Sequence, residues 1–303
     1  MTAASLLDAA LARSPLQPLF RRAARRRLTV LAYHAVEDPA RFSEHLDHLL
    51  DHARPVGLPD LLAATSGGPA LPPRPVLVTF DDGDRSLLDA APLLRARGIP
   101  AAVFPVASLL DGDVPPWWRE VEDLLDAGAH PGPDLPAAAP ALIRLMKALP
   151  DPERRAVLVR LREGAPVAPP PRPQLRAAEL PELEAAGIEV GNHTWSHPCL
   201  PRCDATLVEE EVLQAHDALA RALGHPPRAF AYPNGDHDLR AEALLARLGY
   251  RAAFLFDHRL SPSPPPEALR ISRLRVSSHT SMDRFRILLS GLHPALHRAL
   301  GRS

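Results

Sequence analysis

Residues 75–104 read PVLVTFDDGDRSLLDAAPLLRARGIPAAVF. The first six residues form a short continuous apolar run, the pattern of a strand buried on both faces. Residues 86–97 follow with helical spacing, ended by Gly98. Residues 101–106 read as the next strand. A buried strand, a helix and a second buried strand make one βαβ unit, and the rest of the chain repeats that alternation.

Upstream, residues 28–32 read as the first strand, and 42–50 and 58–63 as helices. Downstream, 179–186 is helical and 188–192 a strand. Thr206 with Glu209 has capping-box spacing for a helix ending at Leu223 and Gly224. Strands follow at 229–232, 252–256 and 270–276, with a helix at 239–248 and a closing helical region at 282–300. The expected class is α/β. Residues 111–175 depart from the alternation. Trp117 and Trp118 open a helix to about residue 125, and a Pro, Gly and Ala stretch spans 128–140. Asp151 reads as an N-cap, with Pro152 in the first turn. Residues 166–173 form a polyproline-like connector. We read 111–175 as a helical insertion into one domain of residues 28–303, preceded by a basic, amphipathic segment, 1–27.

With 303 residues, 46% hydrophobic and 23% charged, the chain has globular composition with ample material for a core. The net charge of −1 gives no global field toward nucleic acid, and none is expected as a partner. Cys199 and Cys203 are the only two cysteines, which excludes a disulfide framework. They stand four apart beside candidate metal ligands, as either two further ligands or two plain thiols.

No run of apolar residues reaches the roughly 18 of a membrane span. Arg21, Arg22, Arg25, Arg26 and Arg27 are followed by only a short apolar run, so no secretory signal is read. The expectation is a cytoplasmic chain. Residues 1–27, with Leu6, Leu7, Leu11, Leu16, Leu19 and Phe20 beside the arginines, allow two readings. One is a docked helix with a solvated basic end, the other a peripheral contact with an anionic membrane.

Polar clusters stand where the strands stop, as catalytic groups do in parallel α/β proteins. Asp81 and Asp82 follow the buried strand. Two adjacent carboxylates repel, and neighbours on an extended chain point opposite ways, so that one can bind a cation while the other faces water. Asp-Gly is also turn chemistry, and the pair alone leaves both readings open. His193 and His197, four apart in NHTWSHP, can meet one ion on a tight loop. Two histidines, a carboxylate and an open position make a known catalytic zinc arrangement. The third cluster, FAYPNGDHD at 230–238, places a bend where a backbone N–H can face an oxyanion, or is a plain turn. Tyr33 and His34 close the first strand. His34 is a candidate proton donor or a hydrogen-bonded core residue.

Together with LAYHAV (31–36), AGIEVGNHTWSHPCL (186–200) and LARLGYRAAF (245–254), these segments resemble the polysaccharide deacetylase family, the NodB-homology domain of carbohydrate esterase family 4. The resemblance spans most of residues 28–276. It implies a distorted (β/α) barrel of about seven units and a carbohydrate substrate. It also implies a divalent metal, Zn²⁺ first and Co²⁺ or Ni²⁺ as alternatives, on Asp82, His193 and His197. Asp81 is then the general base, and the Tyr232 backbone N–H shares the oxyanion with the metal. Many members carry an arginine in the third motif to hold the base. Ala231 stands there, which leaves Arg273 or Arg275 as replacements. A late Leu-x-His motif is also missing, and His279 is the late candidate near the last strand. A subgroup resembling exopolysaccharide deacetylases uses a Tyr-His motif after the first strand, and on that pattern His34 is the acid.

The expected activity is N-deacetylation of N-acetylhexosamine glycans or glycan precursors. An ester deacetylase, a small-molecule amidase and an inactive carbohydrate-binding remnant are the competing readings. Trp117 and Trp118 would either stack on sugar rings or anchor the insertion.

Overall fold

The structure, a computed structural model, describes residues 3–299; the first two residues of the N-terminal segment and the end of the closing helical region lie outside them. Helices α1 (Ala3–Ala12) and α2 (Gln17–Ala23) lead into strand β1 (Arg27–Tyr33). Then come α3 (Pro39–His52), β2 (Arg54–Pro55), α4 (Leu58–Thr65), β3 (Pro75–Asp82), α5 (Leu87–Ala96) and β4 (Ala101–Pro105). The insertion supplies α6 (Trp117–Asp126), α7 (Ala139–Ala148) and α8 (Asp151–Gly164). The alternation resumes with α9 (Leu180–Ala185), β5 (Ile188–Val190), α10 (Ala205–Leu223), β6 (Ala229–Ala231), α11 (Leu239–Arg247) and β7 (Ala252–Phe254). Short strands β8 (Ser261–Pro262) and β9 (Leu274–Arg275) precede α12 (Met282–Leu289) and α13 (Leu292–Ala299).

Every residue of β3 is buried, as its unbroken apolar run requires. It pairs in parallel with β1 and β4; β4 continues to β5, and β1 to β9. A separate parallel pair, β6–β7, is joined to the ends of this sheet by single bridges, Asn192 to Phe230 and Phe254 to Ile271. The strands therefore run in a ring whose two seams are bridges rather than ladders. Side-chain alternation confirms which face is inside. Leu28 and Val30, Leu77, Ala102 and Phe104, Ala229 and Ala231, Ala252 and Phe254 share one apolar cluster, the ring interior. Their neighbours Leu31, Tyr33, Val78, Phe80 and Val103 pack outward against α3, α5 and α9. Each large side chain buried this way stabilises by roughly 1.5–3 kcal/mol.

The insertion has its own apolar cluster around Trp117, Val121, Leu142, Met146, Leu158 and Leu161. Its middle helix, α7, is not expected from the sequence, where a Pro, Gly and Ala stretch to residue 140 covers its start. Pro140 sits in the first turn of α7, where proline starts a helix rather than breaking one. Two caps also differ. Asp204, not Thr206, caps α10 by accepting from the Leu207 N–H (2.8 Å), and Gly224 ends that helix at φ 79°. Asp151 lies inside α8 instead of capping it, and its carboxylate takes Arg154 at 2.6 Å and Arg155 at 2.5 Å. The expected strand at 270–276 is reduced to the Ile271 bridge and β9. Between them Arg273 turns away to donate its Nε–H to the Leu255 carbonyl at 2.9 Å. Among the described residues no helix is long and apolar enough to cross a membrane.

Candidate active site

Asp81 and Asp82 end β3 at the mouth of the ring. Asp81 continues the inward parity of Leu77 and Thr79. Asp82 then takes φ 71° and Gly83 φ 88°, which turns the chain sharply. A Cβ on Gly83 would come within 2.9 Å of Pro105, so both the conformation and the space demand glycine. The turn cancels the opposite pointing of adjacent residues. Both carboxylates now face His193, whose Nε2 is 3.6 Å from Asp82 Oδ1 and 4.0 Å from Asp81 Oδ2.

The histidines sit on a loop after β5 that is tied at several points. Asn192 accepts from the Thr194 N–H (2.7 Å) and donates to the Tyr250 hydroxyl (2.8 Å). The His197 N–H donates to Thr194 Oγ1 (3.0 Å), and Glu211 on α10 accepts from the Ser196 N–H (2.7 Å). Thr194 and His197 both lie at positive φ, 68° and 54°, a strain that this network sustains. His193 Nδ1–H donates to the Ala231 carbonyl at 2.7 Å, which fixes the tautomer and leaves Nε2 as a lone pair facing Asp82.

These atoms fit a bound cation. Asp82, His193 and His197 each offer a ligand atom within 4.8 Å of the others, and all three residues are buried. Asp82 Oδ1 is buried without a hydrogen-bond partner in the protein, and its separations from the histidine nitrogens, 3.6 and 3.9 Å, are too long for hydrogen bonds. Burial, then the neighbouring Asp81 charge, pushes the Asp82 carboxyl well above the usual carboxylate range. Burial likewise holds both histidines below the usual imidazole value, so they stand neutral and ready to ligate at neutral pH.

Asp81 is treated differently. Arg273 forms a two-pronged pair with it, Nη1 to Oδ1 at 2.7 Å and Nη2 to Oδ2 at 2.8 Å, and both side chains are almost fully buried. Burial alone would raise the Asp81 carboxyl, but the Arg273 charge and His193 overcome it and hold it below the usual range. The guanidinium stands near the faces of Phe104, Phe254 and Phe256, with centroids 5.5–5.9 Å away. Of the two arginines left open by the sequence, the structure places Arg273 on Asp81.

His34 faces Asp82 from the opposite wall, Nε2 to Oδ2 3.9 Å. Water reaches 39% of its side chain, yet the walls desolvate it and, with Arg273 and Arg275 nearby, bring its pKa to about 4 against the pull of Asp81. His279 makes no ion pair with Asp81 or Asp82; it is exposed and pairs with Glu37 at 2.9 Å on the rim of the cleft. Tyr232 is not brought into the site. Its N–H donates to the Phe254 carbonyl (3.0 Å), and its ring packs outside the ring of strands with Phe230 and Leu244. Strand pairing is the reason for the N–H, since Tyr232 continues β6 alongside β7; parity accounts for the ring, because Ala231 points in and Tyr232 points out. Asn234 and Gly235, two residues on, line the mouth in its place. Gly235 is at φ 78°, with the Phe256 backbone nitrogen 2.3 Å from where a Cβ would sit, so only glycine fits there. The Pro-Asn-Gly turn was the signal for this, since the bend follows the strand end rather than coinciding with it.

The cleft over these groups has a volume of about 590 Å³. The insertion closes one side. Trp117 is buried and donates its indole N–H to the His197 carbonyl at 3.1 Å, with Arg154 over its ring at 4.9 Å. Trp117 is thus an anchor. Trp118 is half-buried, lines the cleft and packs against the His197 ring at 4.3 Å. Cys199 and Cys203 are buried, unjoined and outside the cluster of ligand atoms.

Residues 167–253 match the family model for polysaccharide deacetylases. A chitin deacetylase from Pestalotiopsis sp is 34% identical over 68 residues, which are 22% of this chain and 23% of that protein. The match thus spans less than a quarter of that relative's length. Among solved structures, the Streptococcus pyogenes deacetylase PplD in complex with acetate aligns with a TM-score of 0.61 at 18% identity, over 88% of this chain and 99% of that one. IcaB from Ammonifex degensii aligns with a TM-score of 0.61 at 22% identity, over 88% and 97%. The fold is the α/β fold of these proteins.

Proposed function

From the match of residues 167–253 to the polysaccharide deacetylase family model, we propose that the chain hydrolyses N-acetyl groups of N-acetylhexosamine glycans or glycan precursors. The observation that carries this reading is the pairing of two unlike carboxylates in one cleft. Asp82 has an orphaned oxygen among histidine nitrogens, and Asp81 is held ionised by Arg273. Asp82, His193 and His197 would hold a divalent cation, Zn²⁺ first. When bound it would polarise the acetamide carbonyl and lower the pKa of water beside it toward about 7.

The chain's own residues divide the rest of the work. Asp81 accepts a proton as water adds to the acetyl carbon. Arg273 keeps that carboxylate ionised and oriented. The C–N bond breaks, the nitrogen takes a proton, and acetate and a free amine leave. His34 is the donor candidate on the facing wall. With a pKa near 4 it stands neutral at pH 7, so it acquires a proton during the reaction before passing one to the nitrogen. Trp118, at the edge of the cleft, offers its face to a sugar ring.

The test is acetate release by the zinc-loaded protein from chitooligosaccharides against acetylated xylan. Release from the amide substrate that is lost in Asp81→Asn supports the reading. Release from the xylan alone makes the chain an ester deacetylase. Bound zinc with no release from either substrate would return it to a carbohydrate-binding protein.

A further inference from the structure

The opposite end of the strands carries a feature that deacetylation does not use. Arg21, Arg22 and Arg25 from the α2 region face Arg54 and Arg74 across a groove of about 680 Å³. Two backbone bonds fix its walls: the Arg74 N–H donates to the Arg25 carbonyl (2.8 Å), and the Arg54 N–H donates to the Arg74 carbonyl (2.9 Å). Several arginines elsewhere meet carboxylates, as Arg41, Arg97, Arg240 and Arg270 do. Among the described residues, none of the five groove arginines has an acidic partner within 4.0 Å. In a chain of net charge −1 this is a local concentration of uncompensated positive charge.

The same segment exposes large apolar side chains, of which Leu16 and Leu19 flank the groove residue Pro18 in the chain. Leu6 is 55% exposed, Leu7 60%, Leu16 51% and Leu19 62%. Leu16 and Leu19 are one turn apart, and Leu19 is one turn from Arg22. The segment is nevertheless docked on the body, α1 against α12 and α2 against α13, with Gln17 Nε2 donating to the Leu11 carbonyl at 2.9 Å. The two readings of residues 1–27 are therefore compatible, because the helices pack inward with one face and leave leucines and arginines outward with the other.

We propose that this face docks on a bilayer containing anionic phospholipids. The leucines enter the boundary between headgroups and acyl chains, and the five arginines take lipid phosphates. Charge complementarity selects an anionic surface, and the exposed leucines select a bilayer over a soluble anion. Arg74 immediately precedes β3, whose far end carries Asp81 and Asp82, and Arg54 begins β2, paired in parallel with the start of β3. At about 3.3 Å per residue the cleft stands about 20 Å or more beyond the groove, at the other end of the ring. Docking leaves it open to substrate.

The experiment is co-sedimentation of the full chain with vesicles of phosphatidylcholine alone and of phosphatidylcholine with 30% phosphatidylglycerol, an amount set for the test. Binding to the anionic vesicles, falling steeply with salt, is expected. Reversal of three charges, Arg21→Glu with Arg22→Glu and Arg25→Glu, should weaken it about 30-fold or more. Leu16→Ser with Leu19→Ser should weaken it about 10-fold even at low salt. All five positions are exposed or half-buried, and unchanged far-UV circular dichroism and thermal melts would show that the variants remain folded. Equal binding to both vesicle types, or none to either, overturns the proposal. So does unaltered binding by the leucine variant, or complete displacement by millimolar inorganic phosphate, which would make the groove a site for a soluble anion.

Discussion

The two ends of the same strands handle charge in opposite ways. At the C-terminal mouth, Asp81, Asp82, His193, His197 and Arg273 are all buried, and every one touches another charged or titratable group. At the N-terminal end, five arginines stand in a groove with no acidic partner among the described residues. Burial makes each charge at the mouth consequential, because an unpaired charge in low dielectric is costly. Exposure makes each charge at the other end nearly neutral for the fold and useful only toward a partner. Substitutions should therefore act strongly and on chemistry at one end, weakly and on association at the other.

The largest expected effect is at the ligand set. His193→Ala or Asp82→Ala should abolish bound zinc, measured by atomic emission, and lower kcat/KM upwards of about 10⁴-fold. Turnover with full metal content in either variant would break the assignment. Asp81→Asn should keep the metal and lower kcat by about 10²–10⁴. An unchanged rate would remove Asp81 as the base.

Arg273→Gln comes next, and its readouts separate stability from chemistry. Removing one partner of the buried pair should destabilise by about 3–5 kcal/mol, read from urea midpoints. The sign with pH follows from the depressed Asp81 carboxyl. Its stabilisation is present above the unfolded value of about 3.9 and is lost as pH falls through the lower folded value. Without Arg273 that carboxyl rises, so stability drops at neutral pH and the acid limb of kcat/KM moves to higher pH. A limb that stays in place would show that another group sets it.

Trp117→Phe removes the hydrogen bond to the His197 carbonyl and part of the buried ring beneath Arg154. About a 10-fold loss of zinc affinity is expected, with a stability loss of about 1–3 kcal/mol. Smallest of all, Arg22→Ala should alter stability by no more than about 0.5 kcal/mol. A loss of several kcal/mol there would erase the contrast between the two ends.

Much of the molecule was legible in local pattern. β1, β3 and β4 lie within a residue or two of their expected bounds, because an unbroken apolar run has few ways to fold. Asp82, His193 and His197 stand out by type and spacing and by their position at strand ends, and the fold brings them together. Helix α7 is hidden because its start lies in the Pro, Gly and Ala stretch, where composition does not distinguish a first-turn proline from a breaker. The Tyr232 backbone N–H, which the resemblance assigns to the oxyanion, goes instead to the Phe254 carbonyl, because strand pairing rather than the motif decides where a backbone donor is spent.

Residue types, their periodicity and the clusters after each strand are local properties, and the sequence by itself determined them. It left two roles of the site open, the arginine that holds Asp81 and the proton donor. Arg273 reaches Asp81 across 192 positions, and the choice of Arg273 over Arg275 rests on depth, since both line the cleft but Arg273 is buried at its floor and Arg275 is exposed at its mouth. Only the tertiary structure decided this, because ring closure sets register and facing for all strands at once. The same closure carries Arg54 and Arg74 to one end of the ring and both aspartates to the other, a separation that local pattern does not contain.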